Sequence, residues 1–187
     1  GIDRWIMEQA FRIVAQRNQD KQEARFFLRV SDQSLVDATL APWIEKALKA
    51  HRVPKGAIVF QIAEQSAAKN LKDAKSLAEA AKQLGCGVAI EHFGVGHDPL
   101  RLFEHIKPDF VKIDGSFMPK LGSDPKRDEL VQAIIEKANE LSIETIAERV
   151  ENANTMAVLF GFGVNYIQGN YVQEPEVVMT ENARLPG

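Results

Sequence analysis

The chain is predicted to be one α/β domain built on parallel strands, and three observations predict it. Strand-like and helix-like segments alternate from end to end with short connections, the pattern of βα units rather than of a sandwich or a helix bundle. Six apolar runs each finish on polar or ionisable residues: Arg29, Gln61, Glu91, Lys112 with Asp114, Glu148 and Gln168. The first strand is not followed by Gly-x-Gly-x-x-Gly. A strand buried on both faces is apolar throughout, so polar groups recurring at the carboxyl ends mark a shared ligand face. A doubly wound sheet would gather them at one switch point, but here they extend over all the strands. We therefore prefer a (β/α) barrel. A complete one takes about 250 residues and eight strands, so this chain of 187 residues is expected to lack the opening strand or strands.

The elements follow in order. Ile2, Trp5, Ile6, Ala10, Ile13 and Val14 fall on one face of an opening helix that Asp3 can help cap. Residues 26–31 read as a strand. Trp43, Ile44, Ala47 and Leu48 form the stripe of a second helix, ended near His51 by the loop around Pro54 and Gly56. Strand returns at 57–63, and a long helix carrying Leu71, Ala74, Leu77, Ala78, Ala81 and Leu84 stops at Gly85. Then come a strand at 88–91, a short helix at 100–106, a strand at 110–114, a helix at 130–141 and a strand at 143–148. A helix at 153–160 precedes Gly161 and Gly163, 166–168 is the last strand, and 174–187 reads as an irregular tail.

Composition narrows the function. With 45% hydrophobic and 26% charged residues the chain can build one sizeable core. Net charge is -3 with both signs interleaved, so neither a duplex-binding stripe nor a polybasic membrane anchor is present, and DNA, RNA and membrane insertion are not expected. Apolar runs stay far short of the ~20 residues of a membrane span, and the first residues do not form a signal peptide. The lone Cys86 can make no internal disulfide, which fits a reducing cytoplasm. Gly1 leads directly into helix, so further sequence is expected upstream.

Within a strand, alternate residues share a face, pairing Val59 with Gln61, Ala89 with Glu91, and Phe110 with Lys112 and Asp114. Acids (Glu91, Asp114, Glu148), cations (Arg29, Lys112) and amides (Gln61, Gln168) are thus expected to pool. Any one of them alone could be a rim residue with a water or ion-pair partner, and it is their convergence that argues for a site. His92 is read as a hydrogen-bonded rim histidine in preference to a metal ligand or general base. Phe93-Gly94-Val95-Gly96 is weak support for a phosphate loop, with Phe93 read as core.

Taken together, Ala89-Ile90-Glu91-His92-Phe93-Gly94-Val95-Gly96, Val111-Lys112-Ile113-Asp114-Gly115-Ser116-Phe117, Ile146-Ala147-Glu148-Arg149-Val150-Glu151 and Gln168-Gly169-Asn170-Tyr171 with Pro175 resemble the ordered signature of EAL domains. That family consists of modified TIM barrels that hydrolyse the bacterial messenger cyclic di-GMP. The resemblance covers essentially the whole chain. It implies that an absent amino-terminal portion would hold the first strands and the Glu-Ala-Leu motif.

The departures from the family pattern carry the functional expectation. Active members resemble two-metal hydrolases in which carboxylates and an Asn hold two divalent ions. Here the family's Asn falls on Arg29, in Leu28-Arg29-Val30-Ser31, the strand Glu of the next motif on Gln61, and the Asp-Asp pair on Glu91-His92. The Gly of the Glu-Gly-Val-Glu segment is Arg149, while Lys112, Asp114, Glu148, Glu151 and Gln168 match. A guanidinium supplies only donors and a permanent positive charge where a hard cation needs oxygen. The expectation is a degenerate domain without catalytic residues or a required metal, with Lys112, Asp114, Glu148 and Glu91 as vestiges. Cyclic di-GMP would then be held rather than cut, Arg29 standing in for the cations at a phosphate and Arg149 assisting.

The resemblance assigns the remaining contacts position by position. Asp3 matches the Asp that meets one guanine edge, Glu151 the Glu that accepts from the other, and Gln168, Gly169 and Pro175 the segment lining that base. Among degenerate EAL proteins, this chain is most similar to receptors associated with type IV pili and twitching motility. In those the EAL domain also binds a PilZ-domain protein and follows degenerate GGDEF and sensor domains, which implies a cytoplasmic protein, near a cell pole. The rival readings are a slow phosphodiesterase using Glu91, Glu148, Asp114 and an upstream Glu for metal, a scaffold that binds no nucleotide, and, ranked last, a Schiff-base enzyme through Lys112.

Overall fold

The computed structural model describes residues 1–21 and 25–169. They fall into two compact units, Gly1–Ala89 and Ile90–Gly187. Strand order is β1-β2-β3-β4-β5-β6, and the pairs β1–β2, β4–β5 and β5–β6 are parallel. A doubly wound sheet would break the sequential order at its switch point. Consecutive parallel neighbours are the arrangement of a (β/α) barrel.

In the first unit, α1 (Ile2–Gln19), β1 (Phe26–Arg29), α2 (Asp32–Leu35), α3 (Leu40–His51), β2 (Ile58–Ala63), α4 (Glu64–Lys69) and α5 (Leu71–Gln83) follow one another. β1 and β2 pair from Phe26↔Ile58 to Arg29↔Gln61, and the Val30 N–H carries the ladder one step further to the Gln61 carbonyl at 2.9 Å. The α1 stripe read from the sequence is only partly the buried one. The core side is Met7, Ala10, Phe11 and Val14, whereas Ile2, Trp5, Ile6 and Ile13 are exposed. The helix carries two apolar stripes, and the one holding Phe11 wins because it stacks on Trp43 of α3 with ring centroids 6.4 Å apart. Arg4 lies 5.4 Å over that same indole and donates to Asp37 Oδ2 at 2.9 Å, fixing α1 against the start of α3.

β3 (Gly87–Phe93) begins in the first unit and ends in the second. It is followed by a 3-10 helix (Pro99–Glu104), β4 (Phe110–Ile113), a second 3-10 helix (Gly115–Lys120), α6 (Pro125–Glu140), β5 (Glu144–Ala147), α7 (Ala153–Phe162) and β6 (Tyr166–Ile167). Register runs from Phe110↔Glu144 to Ile113↔Ala147 and from Ile146↔Tyr166 to Ala147↔Ile167. Val111, Ile113, Ile146 and Ala147 on the strands and Val131, Ile134, Ile135 and Ala138 on α6 are fully buried. Phe93 is core, as expected, stacked on Phe103 at 4.9 Å. α6 starts earlier than its apolar stripe because Asp124 caps the Arg127 N–H and Pro125 occupies the first turn. The tail read at 174–187 lies outside the described residues.

Candidate functional site

The carboxyl ends of β1 and β2 present Arg29 and Gln61, which are partners in the strand register. Arg29 is exposed. Gln61 is 8% exposed, and its buried Oε1 accepts no hydrogen bond. The chain leaving β1 is fixed by Asp3, whose Oδ2 accepts from the Ser31 N–H at 2.8 Å. Gly1, rather than Asp3, occupies the cap position of α1. Burial opposes ionisation of Asp3, yet hydrogen bonds from Ser34 and Ser31 outweigh it and hold the carboxyl below its ordinary range. Ser31 in turn caps α2 by accepting from the Ser34 N–H at 3.3 Å, and Ser66 donates to Asp32. Glu64, the first residue of α4 directly after β2, is an acid buried to 4% exposure that sequence reasoning did not single out. A charged residue immediately after a buried strand was the available signal.

The ends of β3, β4 and β5 in the second unit form a network that satisfies itself. Glu91 and Lys112 are each 4% exposed. The Lys112 Nζ lies 4.0 Å from Glu148 Oε1. His92 takes a left-handed backbone, φ 54, and its Nδ1 lies 3.0 Å from Asp114 Oδ2. The other Asp114 oxygen accepts from the Ser116 N–H at 2.9 Å, capping the 3-10 helix after β4. Both Asp114 oxygens are therefore engaged. Burial opposes its charge, but the Ser116 and His92 hydrogen bonds prevail and its pKa is lowered. Glu148 goes the other way. Its burial raises the pKa, Lys112 and His92 only partly countering, and the neighbouring Glu91 and Asp114 charges add to the rise.

Arg149 follows Glu148 with φ 57, a left-handed backbone for a residue with a side chain. Its stem covers Gly115, where an added Cβ would sit 2.5 Å from Arg149 Cδ and 2.8 Å from Cγ. The two positions are thus matched: the bare glycine leaves room for the arginine. Glu151 is exposed. Past β6, the Gln168 N–H donates to Ala147 O at 2.8 Å and its carbonyl accepts from the Val150 N–H at 3.0 Å, while the side-chain Oε1 is buried without a partner. Gly169 (φ 151) lies against the Val150 backbone with no space for a side chain. Pro175 lies outside the described residues. The structure thus brings Glu91, His92, Lys112, Asp114 and Glu148 into one neighbourhood within the second unit, and Asp3, Ser31, Arg29 and Gln61 around the exit of β1 in the first. Among the described residues no three His, Cys, Asp or Glu side chains are grouped in a way that would hold a metal ion. No helix among them is long and apolar enough to cross a membrane.

Comparison with known proteins places these features in context. The family model described as EAL domain matches residues 1–175. The chain is 26% identical over 176 residues to cyclic di-GMP phosphodiesterase PdeF of Escherichia coli, covering 94% of this chain and 24% of that protein. It is 27% identical over 174 residues to signaling protein YkoW of Bacillus subtilis, covering 93% of this chain and 22% of the relative. The chain therefore spans about a quarter of the length of these curated relatives. Among solved structures, the FimX EAL domain matches with a TM-score of 0.87 and 36% identity over 96% of this chain and 72% of that one. The FimX EAL domain from Pseudomonas aeruginosa bound to c-di-GMP matches with a TM-score of 0.85 and 35% identity over the same shares, 96% and 72%.

Proposed function

Because the chain belongs to the EAL domain family, we propose that it is a cyclic di-GMP receptor that holds the nucleotide without hydrolysing it. The observation that carries this reading is the Arg29–Gln61 register pair at the ends of β1 and β2. These are the positions where the family resemblance expects oxygen ligands for divalent ions. A guanidinium repels a cation, and a carboxamide removes one negative charge beside it. The same guanidinium suits a phosphate, to which it donates charge-assisted and bidentate hydrogen bonds. The acids of the second unit also fit a metal pair poorly. Both Asp114 oxygens take hydrogen-bond partners, His92 and the Ser116 N–H, and Glu148 lies beside the Lys112 ammonium. Metal, where bound in the family, activates water; no residue described here is given that task.

Calorimetry with cyclic di-GMP tests the reading directly. We expect binding in EDTA that neither Mg2+ nor Mn2+ strengthens. Binding that vanishes on chelation counts against it. A second reading, a weakly active phosphodiesterase, is favoured by the names of relatives such as PdeF and by the retained acids Glu91, Asp114 and Glu148. Steady release of linear dinucleotide in Mn2+ would establish that reading in place of ours. Absence of heat with the nucleotide would leave a protein scaffold. The proposal extends, through the likeness to FimX, to control of type IV pili and twitching motility from the cytoplasm. There the chain would act with a PilZ-domain partner and upstream sensor and GGDEF-like domains, and co-purification of the full-length protein with that partner is the check.

A further inference from the structure

We propose that Gln61 reads the ribose 2′-hydroxyl beside the phosphate held by Arg29, so that the site selects a ribonucleotide over its deoxy counterpart. This rests on the cyclic di-GMP reading above and adds to it a determinant of sugar specificity. Gln61 is 8% exposed and its side-chain Oε1 is buried without a donor, although its backbone carbonyl is satisfied by the Val30 N–H at 2.9 Å. A buried acceptor left unpaired is costly, and native structures keep one where a water or a ligand arrives to fill it.

The register says which donor it would meet. Arg29 is the cross-strand partner of Gln61, and neighbouring strands lie about 4.8 Å apart, so whatever Arg29 binds is brought next to the carboxamide. In a 3′,5′-linked ribonucleotide the 2′-hydroxyl sits on the carbon adjacent to the one esterified by phosphate. It is the nearest hydrogen-bond donor to that anion, whereas the base N–H groups lie across the sugar. An uncharged acceptor is the suitable one here, because a carboxylate at this position would face the phosphate as a like charge. Gln61 and Arg29 together therefore match an acceptor to the hydroxyl and a donor fork to the anion.

The test is calorimetry of the full chain in EDTA with cyclic di-GMP and with the same ring built on 2′-deoxyribose. We expect the wild-type chain to prefer the ribose form by about tenfold, the worth of one net hydrogen bond at a buried acceptor. Gln61→Met should lower ribose affinity to the deoxyribose level and leave the deoxy compound unchanged. Equal affinities in the wild-type chain overturn the inference without any variant being needed, as does a preference that survives in Gln61→Met. Wild-type protein that binds neither ring overturns the receptor reading itself, a distinguishable failure.

Discussion

The ends of β1 and β2 in the first unit and those of β3, β4 and β5 in the second arrange their polar groups differently. In the second unit, the Lys112 Nζ lies 4.0 Å from Glu148 and the His92 Nδ1 lies 3.0 Å from Asp114, so the polar groups at the ends of β3, β4 and β5 face one another. In the first, Arg29 is exposed beside a glutamine whose buried oxygen meets no donor. Asp3, beside them, accepts from the Ser31 N–H. A buried acceptor without a donor has an interaction to give a ligand. The ends of β1 and β2 thus present a guanidinium and a buried acceptor side by side in register, although the family motifs are denser in the second unit.

Four experiments would sharpen or break this contrast. The largest effect is expected from Arg29→Ala, which should weaken cyclic di-GMP binding by roughly 10- to 100-fold, the range for a charge-assisted hydrogen-bonding group. Unchanged calorimetric affinity would move the ligand's anchor to the other unit. Next, Gly115→Ala should cost about 1–3 kcal/mol in urea unfolding by overpacking the Arg149 stem. That penalty should shrink in an Arg149→Gly background, so the double-mutant cycle reads the match between the two positions.

Smaller still, Asp3→Ala should cost about 1 kcal/mol by leaving the Ser31 N–H without its acceptor. The folded pKa of Asp3 is lowered from the ordinary 3.8. Its stabilisation is therefore present above about pH 4 and fades as pH falls through the folded value, closing the gap between wild type and variant. Glu148 has the opposite sign, since its folded pKa is raised from 4.5. Relative to Glu148→Gln, the wild-type chain should gain stability as pH falls through the raised folded value toward 4.5. Unfolding curves that run parallel across that window would show that Glu148 titrates alike in both states.

Much of the fold could be read from residue order alone. Every strand carries a β-branched or aromatic run, the regular interleaving with helices points to a parallel α/β domain, the polar strand ends favour a (β/α) barrel, and the motif resemblance supplies the EAL type of barrel that the solved relatives share. The short elements escaped. α2 (Asp32–Leu35), α4 (Glu64–Lys69) and the 3-10 helix at Gly115–Lys120 are too brief for apolar periodicity, and two of them are set by side-chain caps, Ser31 and Asp114. The buried face of α1 is not legible in the sequence because Phe11 and Met7 compete with an equally apolar stripe, and the position of Trp43 decides between them.

At the candidate site, alternation along the strands identified Arg29, Gln61, Glu91, Lys112 and Glu148 as neighbours of strand ends. It could not say which of them were already partnered. Pairing depends on distances such as Lys112 to Glu148, and on left-handed turns at His92 and Arg149 that no propensity announces. Glu64 went unnoticed for a related reason, since its burial follows from the helix that starts on it.

Gly169 has a mechanical consequence. An added Cβ there would collide with the Val150 carbonyl oxygen, and Gln168 is hydrogen-bonded to both Val150 and Ala147, so the loop bearing Arg149 and Glu151 is stapled to residues 168 and 169. A methyl group at 169 would act as a wedge, prising apart two pieces of chain that these hydrogen bonds clasp together.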